Sequence, residues 1–324
     1  MSITVQNIID SYGAYYEQGS QNLQRLKAVP MQEPQMLKQQ GINSIMTRDT
    51  VYRMANPIFA SVLQPYQKAF TAKGDVEFLA NEIRLRQMKV DMSFYPADIE
   101  DSWLGFLAGD SSRNQENWPI ARYILEHYLL PKAQEDKELE AIYKGVYKEP
   151  QNGTAGSPVD SMDGFKKLLI DGSKKEKCKV NVIENLGTFD ADVAQDYIEA
   201  FDSKIDSKFR NKKMLIFVAP EMLLSYLRDR RDNKNYFISS DAQISTNIDF
   251  TNHQLVACEA MAGTTDIFAT LPENIVHLKK RDISAVNIDV QKADRQVKFL
   301  VDWWEAVGFN CNALVWTSKE TVTE

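Results

Sequence analysis

The side chains best suited to acid–base, nucleophilic or metal chemistry are scattered along this sequence. The three histidines stand in three different segments, at His127, His253 and His277. No H-E-x-x-H pair, G-x-S-x-G elbow or EF-hand loop is present, and a lone histidine on a helix or strand face is usually structural. The sequence therefore predicts no catalytic, cofactor-binding or metal-binding residue.

Carboxylates in close pairs are the usual groups of general acid–base catalysis. Two sets have suitable spacing: Asp136, Glu138 and Glu140, and Asp190, Asp192 and Asp196. The first set lies in a helical pattern and predicts a solvated face over residues 135–140. In the second set, Asp190 and Asp192 precede a helix, where carboxylates cap free N–H groups and complement the helix dipole. We predict that neither set is catalytic.

The cysteines are far apart in the sequence, at Cys178, Cys258 and Cys311. None forms a C-x-x-C pair or lies close to a histidine, so the spacing does not predict a zinc site. Their apolar neighbours predict buried free thiols in a reducing compartment, although folding can bring any two of them together.

Composition limits the class of protein. The chain has 324 residues, of which 44% are hydrophobic, enough for one large domain or two ordinary ones with a proper core. A net charge of -7 argues against the broad basic surface of nucleic-acid-binding proteins. The short basic clusters at 228–231 and 279–281 predict solvated faces or subunit contacts. Without a signal segment or a long apolar run, we expect a soluble protein made in the cytosol.

The elements that would position these residues begin with an unusual N-terminal region. In the first sixty or so residues, short amphipathic pieces such as 8–26 are broken by Pro30, Pro34 and Pro57. Short helices are marginal without tertiary partners. Two alternatives follow from this pattern: an arm that lies on another subunit, or helices packed on their own domain.

A long hairpin is predicted over Pro65 to Pro96. Its outgoing strand would be Tyr66 to Thr71, its turn would lie at residues 73–75, and Asn81 to Tyr95 would return. In the returning strand, Met88, Val90, Met92 and Phe94 share one face. A two-stranded ribbon is barely stable alone, so it would cover its own core or reach a neighbour.

A long helix is predicted to follow, from an N-cap at Asn117 to a stop at Gly145, with a kink or break at Pro131. Residues 151–164 then form a surface loop or hinge. From residue 179, a strand, a helix, the apolar strand Met214 to Val218 and a helix starting at Pro220 alternate. This order predicts a mixed sheet flanked by helices.

The last quarter of the chain, residues 248–316, predicts at least five successive strands. In the clearest one, Val297, Phe299, Val301 and Trp303 alternate with more polar residues, the period expected when one sheet face is buried. We predict that Phe299, Trp303 and Trp304 are packed in a core. A second alternating run, residues 309–316, follows Gly308 and predicts one more strand.

Four stretches carry a resemblance to a known family: TNHQLVACEAMAGTTDIFATLPENIVHL, KADRQVKFLVDWWEAVGFNCNALVW, YPADIEDSWLGFLAG and EDKELEAIYKG. In these stretches and in the order of its elements, the chain resembles the major capsid proteins of tailed bacteriophages with the Hong Kong 97-type fold, especially those of phages that infect Bacteroides and relatives. The resemblance implies an α+β fold with an N-terminal arm, an extended loop, a spine helix, a peripheral domain and an axial domain.

On this resemblance the parts are assigned to the following ranges. The arm is 1–64, the extended loop 65–96, the peripheral domain with the spine helix 97–178, the axial domain 179–270, the peripheral strands 271–304, and the return strand to the axial domain 305–324.

The resemblance also implies a function and partners. The expected function is a non-enzymatic shell subunit that assembles into hexamers and pentamers around phage double-stranded DNA, in the host bacterial cytoplasm and then in the virion. Expected partners are identical subunits, a separate scaffolding protein, a portal, and decoration or head-fibre proteins, with only non-specific DNA contact, no membrane and no cofactor. No position matches the family's lysine–asparagine crosslink. The alternatives are an encapsulin-like nanocompartment and a cytosolic enzyme with a site assembled from distant carboxylates or His253.

Overall fold

The computed structural model describes residues 5–17, 27–30, 32–59, 63–73, 76–115, 117–234, 246–281 and 286–323. The helices are α1 (Val5–Glu17), α2 (Pro96–Ala108), α3 (the consecutive segments Ile120–Ile124, Leu125–Leu129, Leu130–Asp136 and Lys137–Ala141), α4 (Phe165–Ser173), α5 (Ala194–Ser203), α6 (Pro220–Lys234) and α7 (Lys319–Val322). The strands are β1 (Asn43–Thr47), β2 (Val51–Phe59), β3 (Val76–Arg84), β4 (Arg86–Phe94), β5 (Asn181–Ile183), β6 (Met214–Val218), β7 (His253–Ala257), β8 (Ile267–Thr270), β9 (Ile275–Lys280), β10 (Val286–Ala293), β11 (Gln296–Phe309) and β12 (Val315–Ser318).

The first sheet is organised by its longest strand, β11. Strands β10 and β4 pair antiparallel with β11 along its first part, and β9 pairs antiparallel with its last part, from Glu305 to Phe309. Strand β1 adds in parallel to β9. The predicted alternation is confirmed, since Val297, Phe299 and Val301 are almost fully buried. Their removal from water supplies a large part of the driving force that holds this sheet on its core.

The second sheet has the strand order β5-β12-β8-β6-β7 and is flanked by helices. Its central strand β6 has the predicted bounds, Met214–Val218, and every residue in it is buried. A continuous apolar run is typical of a strand covered on both faces. The predicted helices before and after it are confirmed as α5 and α6, and α6 begins at Pro220 as expected. The predicted strand–helix alternation is therefore correct.

The two-stranded ribbon consists of β2 and β3, which pair antiparallel from Val51 opposite Arg84 to Phe59 opposite Val76. The predicted outgoing strand at residues 66–71 was wrong, because the strand lies earlier and residues 66–71 have no strand partner. β2 carries β-branched and aromatic residues and tolerates Pro57 because it has a free edge. Two residues of the predicted turn, Gly74 and Asp75, lie outside the described residues.

The long helix α3 departs from its predicted bounds. It begins at Ile120 after Pro119 rather than being capped by Asn117, whose N–H instead donates to the Asn114 side chain at 2.7 Å. The helix continues through Pro131, and the π-helical segment Leu125–Leu129 directly precedes it. A wider turn there accommodates the missing N–H and the bulk of the proline ring, so the predicted break does not occur.

The helical region stops before Gly145, as predicted. A Cβ atom at Gly145 would lie 2.2 Å from the carbonyl oxygen of Ala141 and 2.5 Å from that of Met162. No real side chain tolerates such distances. Gly145 is therefore required because the chain that leaves α3 is pressed between two backbones, and residues 146–164 follow as a mostly exposed loop.

The N-terminal region is packed on the chain's own body wherever the structure describes it. Helix α1 lies against the start of α3 and against β10, and its Ile8 is 1% exposed. Further along, Met36 and Leu37 are also buried in the main core. Of the two alternatives that the sequence left open, the burial of these residues agrees with packing on their own domain.

The closing strands also differ from the predicted pattern. Strand β11 runs without a break to Phe309, the chain then turns at Asn312–Leu314, and β12 begins at Val315. The predicted strand over 309–316 was therefore wrong. Inside β11, a Cβ atom at Gly308 would lie 2.4 Å from Ile83. Gly308 thus allows the close contact between the sheet and Ile83 at the ribbon root, and it does not end a strand.

The predicted tryptophan core is correct for one of its two tryptophans. Trp303 and Phe299 are buried, and Phe299 stacks on Phe94 with ring centroids 5.5 Å apart. Trp304 points to the other sheet face, where it is half-buried beside a smaller apolar cluster and under Lys280. The difference follows from the period of two along a strand.

Candidate assembly interface

Three of the four most exposed large apolar side chains of the described residues lie at the far end of the ribbon, in residues 63–73, here called the ribbon tip; the fourth, Phe250, stands apart. Leu63 is 86% exposed, Tyr66 91% and Phe70 96%. No described part of the chain covers them. Single exposed apolar residues are ordinary on a protein surface, but a group of them on a projecting element marks an interaction surface.

Local hydrogen bonds hold the ribbon tip in its shape. The Gln64 side chain donates to the Thr71 carbonyl at 2.9 Å, and the Lys73 ammonium group donates to the Leu63 carbonyl. These bonds join the two ends of the tip and leave its apolar side chains outside. The tip is therefore organised by polar contacts within itself rather than by burial.

The ribbon root, by contrast, is firmly attached to the body. Ile83 and Leu85 are buried with Val276, Leu278 and Ala306 in a second apolar cluster. The Leu85 N–H donates to the Thr50 carbonyl at 2.9 Å, which closes the root of the ribbon. Because β3 continues into β4 of the first sheet, the tip projects from a rigid support.

Asn81 connects this root to the chain that passes between the two sheets. Its amide group donates to the Phe309 carbonyl at 2.6 Å and to the Asn312 side chain at 3.2 Å. Its side-chain oxygen accepts from Lys175 at 2.8 Å. One asparagine thus joins the ribbon, the end of β11 and the loop that follows α4.

A charge cluster of Lys137, His277, Trp303 and Glu305 is buried where α3 crosses the first sheet. The Lys137 ammonium group lies 3.1 and 3.2 Å from the two Glu305 carboxylate oxygens, and the Trp303 indole N–H donates to Glu305 at 3.0 Å. The His277 imidazole is also hydrogen-bonded to Glu305. The side chains of Lys137 and Glu305 are only 4% and 1% exposed.

The pKa of Glu305 shows which effect dominates in this cluster. Burial alone raises the pKa of a carboxyl group, but Lys137 and the hydrogen bonds from His277 and Trp303 outweigh burial and lower it to about 2. Glu305 is therefore ionised at neutral pH. A buried pair with this many partners keeps a fixed geometry, although removing one member leaves an uncompensated charge.

The same region of α3 holds the N-terminal segment, defined as residues 27–30 and 32–37. Lys137 donates to the Pro30 and Gln32 carbonyls at 3.0 and 2.9 Å. The Glu138 carboxylate accepts the backbone N–H groups of Gln35 and Met36 at 2.7 and 3.4 Å. The prediction of a solvated face over residues 135–140 was therefore wrong at Lys137 and Glu138, which fasten the N-terminal segment to the spine.

The other carboxylates that were considered as acids have structural positions. Asp190 accepts from the Asp192 N–H at 3.1 Å and caps the turn before α5, as predicted. Asp136 pairs with Lys132 at the surface, at 3.1 Å. Asp196 lies in the first turn of α5, where its charge suits the helix dipole. Glu140 is exposed.

The three histidines also occupy separate places. His253 is buried at the start of β7, where its ring is bonded to Asp202 and to the Phe209 carbonyl. Burial lowers the pKa of His253, but these two hydrogen bonds outweigh burial, so the pKa is raised. His127 packs edge-on or tilted against the rings of Phe106, Trp118 and Tyr123. The fold therefore does not bring the histidines together.

Over the described ranges, no group of three or more metal-ligating side chains forms, and no helix there is both long and apolar enough to cross a membrane. The groove at the ribbon root, with a volume of about 300 Å³, contains Asp163 and Arg86, which are paired at 3.3 Å. Cys258 is buried as predicted, but Cys178 and Cys311 are only half-buried, with their sulfur atoms 3.5 Å apart.

Sequence comparisons find nothing: no protein-family model and no curated protein matches this chain. Structural comparisons do find matches. A chain of the satellite phage P4 procapsid matches with a TM-score of 0.59 at 14% identity, over 92% of this chain and 90% of that one. This protein has the fold of phage capsid proteins.

Other solved structures agree with this capsid fold. A chain from the capsid of an empty GTA particle matches with a TM-score of 0.54 at 11% identity, over 86% of this chain and 87% of that one. A chain of Mycobacterium phage Che8 matches with a TM-score of 0.51 at 10% identity, over 85% and 86%. The coverage extends to nearly the whole of each chain. The predicted α+β capsid fold is therefore confirmed.

Sequence reasoning missed the two features that organise this region. One feature of the sequence could have indicated the charge cluster: Glu305 occupies an inward position of β11, two residues after the buried Trp303. A carboxylate at an inward position requires a buried partner. The partner, Lys137, lies 168 residues away in the sequence, and no local pattern identifies it. For the ribbon tip, the sequence offers no indication of an interface beyond the apolar side chains themselves.

Proposed function

We propose that this protein is the subunit of an icosahedral phage shell that encloses double-stranded DNA. The observation that carries the proposal is the match of the capsid fold over 92% of the chain and 90% of the P4 procapsid chain. A match over almost the whole of both chains leaves little room for an inserted catalytic domain. The protein then acts by assembly, with hexamers and pentamers of identical copies as the units of the shell.

The ribbon tip is the proposed contact with a neighbouring copy. Its three apolar side chains, at Leu63, Tyr66 and Phe70, are at least 86% exposed. Burying each of them fully would contribute about 1.5–3 kcal/mol, which is modest for one contact. In a closed shell the same contact recurs at every subunit, so a weak contact suffices.

The N-terminal segment has a different proposed role. Its hydrogen bonds to Lys137 and Glu138 and the burial of Met36 and Leu37 favour a position on the subunit's own spine. We therefore assign the contact between subunits to the ribbon rather than to an arm. This assignment differs from the N-terminal arm over 1–64 that the family resemblance implies.

The division into domains is also a proposal. The second sheet, with strands from β5 to β8 and the return strand β12, fits an axial domain over 179–270 completed by residues within 305–324. The first sheet fits a peripheral domain with α3 as its spine. The proposed boundary at 304/305 falls inside β11, so this strand would belong to both domains and connect them rigidly.

The remaining partners follow from the same proposal. The chain carries a net charge of -7, so it would contact packaged DNA non-specifically and without gripping it. A separate scaffolding protein, a portal and decoration or head-fibre proteins would complete the particle. Assembly would take place in the cytoplasm of the bacterial host, and the finished protein would reside in the virion.

Expression of the full chain in bacteria tests the proposal. We expect rings, sheets or closed shells in negative-stain electron microscopy and a matching fast-sedimenting species in analytical ultracentrifugation. A strictly monomeric protein at all concentrations and salt conditions, with or without its candidate scaffolding protein, would contradict it.

A nanocompartment shell has the same fold, and the contents of particles from infected cells separate the two functions. A phage shell would contain DNA that is protected from nuclease. A nanocompartment would contain a cargo enzyme held on its inner surface and no protected DNA. An enzymatic role for the chain itself would require turnover by purified, unassembled subunits.

A further inference from the structure

Two cysteines that are far apart in sequence meet at the junction of the two sheets. The Cys178 and Cys311 sulfur atoms are 3.5 Å apart, at the distance of two free thiols in contact. Cys178 follows α4 on the way to β5, and Cys311 lies in the turn between β11 and β12. Because β5 and β12 are neighbouring strands of the second sheet, the contact is built into the topology.

Hydrogen bonds from two asparagines fix both backbones at this contact. The Asn274 side chain accepts from the Cys311 N–H at 2.8 Å and donates to the Cys311 carbonyl at 2.9 Å. The Asn181 side chain donates to the Ala313 and Val315 carbonyls at 2.8 and 3.1 Å, which ties the chain after Cys178 to the chain after Cys311. These bonds hold the Cys311 backbone in place and keep the segment after Cys178 beside it.

The end of α4 packs closely against the segments that carry the two cysteines. A Cβ atom at Gly172 would lie 2.6 Å from Val180 and 3.2 Å from Asn312, so the end of α4 touches both cysteine-bearing segments. Cys178 itself has a φ of 51°, in the left-handed region that is unfavourable for residues with a side chain. The tertiary structure therefore imposes the position of Cys178 against its local preference.

We infer that Cys178 and Cys311 form a reversible disulfide within one chain under mild oxidation, with a small disulfide such as glutathione disulfide as the oxidant. The thiolate of Cys178 attacks one glutathione sulfur and expels a glutathione thiolate. The thiolate of Cys311 then attacks the Cys178 sulfur and expels the second glutathione. The chain loses two hydrogens and the oxidant gains them as two glutathione thiols.

The two cysteines are accessible enough for this reaction, whereas the third is not. Both are half-buried, and Cys258 is 2% exposed. Burial, together with the neighbouring Cys178 thiol, raises the pKa of Cys311 to about 11. Only the thiolate reacts, so the reaction should be slow at neutral pH and faster as pH rises toward 9.

The disulfide would lock the junction that the ribbon depends on. Asn312, next to Cys311, bonds to Asn81 at the ribbon root, and Lys175, close to Cys178 in sequence, bonds to the same asparagine. A covalent link here would join the chain after α4 to the chain between the sheets, and both of these segments are hydrogen-bonded to Asn81 at the ribbon root. This inference concerns the single chain and does not depend on the proposed shell function.

The test uses the purified full chain, first reduced and then incubated with glutathione disulfide at pH 7 and pH 9. Remaining thiols are blocked with an alkylating agent, and the linked peptides are identified by mass spectrometry. We expect a peptide pair joining Cys178 to Cys311 in a species that migrates as a monomer on a non-reducing gel, formed faster at pH 9 and reversed by dithiothreitol. The oxidised chain should also melt several degrees higher than the reduced one.

Two variants sharpen the result. Cys258→Ser should form the link at the wild-type rate, whereas Cys311→Ser should keep a stable glutathione adduct on Cys178. The inference would be overturned if wild-type Cys178 and Cys311 were both alkylated after the incubation, or if they carried only glutathione adducts. A link to Cys258, or a link between two chains, would overturn it as well.

Discussion

The N-terminal segment and the ribbon tip have similar lengths and little regular secondary structure. Their polar and apolar groups nevertheless find partners in opposite ways. The N-terminal segment buries Met36 and Leu37 and places its carbonyl and N–H groups on Lys137 and Glu138. The ribbon tip satisfies its polar groups locally and leaves Tyr66 and Phe70 in water. One segment is completed by its own chain, whereas no described part of the chain covers the other.

This difference separates the residues that stabilise the subunit from those available to a neighbour. A buried charge such as Lys137 has to be matched within the chain, because an unmatched one costs several kcal/mol. An exposed apolar side chain on a projecting loop lowers the stability of the free subunit little, because only its contact with water is unfavourable. Variants of the buried residues and variants of the ribbon tip should therefore differ in their effects on subunit stability and on assembly.

Trp303→Ala should have the largest effect on the folded subunit. The change empties a core position and removes the indole N–H that Glu305 accepts at 3.0 Å. We expect a loss of about 3–5 kcal/mol in the free energy of unfolding, measured by urea denaturation of the unassembled chain. Trp304→Ala is the control, because Trp304 is only half-buried. Equal losses in the two variants would refute the assigned core position.

Lys137→Met should destabilise the subunit by about 3 kcal/mol, because it leaves the Glu305 carboxylate buried without its cation. The double variant Lys137→Met/Glu305→Gln should recover part of this loss. The exposed pair of Arg53 and Glu82 serves as the control, since Arg53→Ala should change the free energy of unfolding little. If Lys137→Met were as mild as Arg53→Ala, the charge cluster would not hold the spine and the N-terminal segment together.

Acid should remove the contribution of Glu305. Its pKa is lowered from 4.5 to about 2 in the folded chain, so the folded chain binds fewer protons than the unfolded chain between these values. The stabilisation, roughly 3 kcal/mol, is present above pH 4.5 and is lost as the pH falls toward 2. Urea denaturation between pH 5 and about pH 2.5 should show a steeper pH dependence for the wild type than for Glu305→Gln. Identical slopes would contradict the lowered pKa.

The triple variant Leu63→Ser/Tyr66→Ser/Phe70→Ser should have the smallest effect on the subunit. All three side chains are at least 86% exposed, so each change should alter the free energy of unfolding by no more than about 0.5 kcal/mol. Assembly into shells, followed by sedimentation, should nevertheless fail or weaken strongly. A matched control is Leu104→Ser/Leu224→Ser, two partly exposed positions away from the ribbon. Normal assembly of the ribbon variant would remove the tip from the interface.

The parts of the fold that could be predicted are those with short-range signals. The alternation from Val297 to Trp303 and the apolar run of β6 were correct because a period of two and a continuous buried strand are visible within a few residues. The cap at Asp190 was correct for the same reason. The overall capsid fold came from resemblance in the order of elements and not from any one of these signals.

The errors came from long-range contacts. The outgoing ribbon strand was misplaced because Val51–Phe59 gains its partner only from β3, and residues 66–71 carry aromatic residues that suggest a strand. Residues 135–140 looked like a solvated face because Glu305 and the N-terminal segment are more than 100 residues away in the sequence. The contact between Cys178 and Cys311 depends on the pairing of β5 with β12, which cysteine spacing does not reveal.

Amide hydrogen exchange in free subunits and in assembled shells separates the roles of the two regions. Residues 63–73 are expected to exchange at least about tenfold more slowly in shells, which corresponds to about 1.4 kcal/mol of added protection. Helix α1 and residues 32–37 are expected to exchange at the same rate in both states. Unchanged exchange at the ribbon tip, or new protection confined to the N-terminal segment, would contradict the assignment of the two regions.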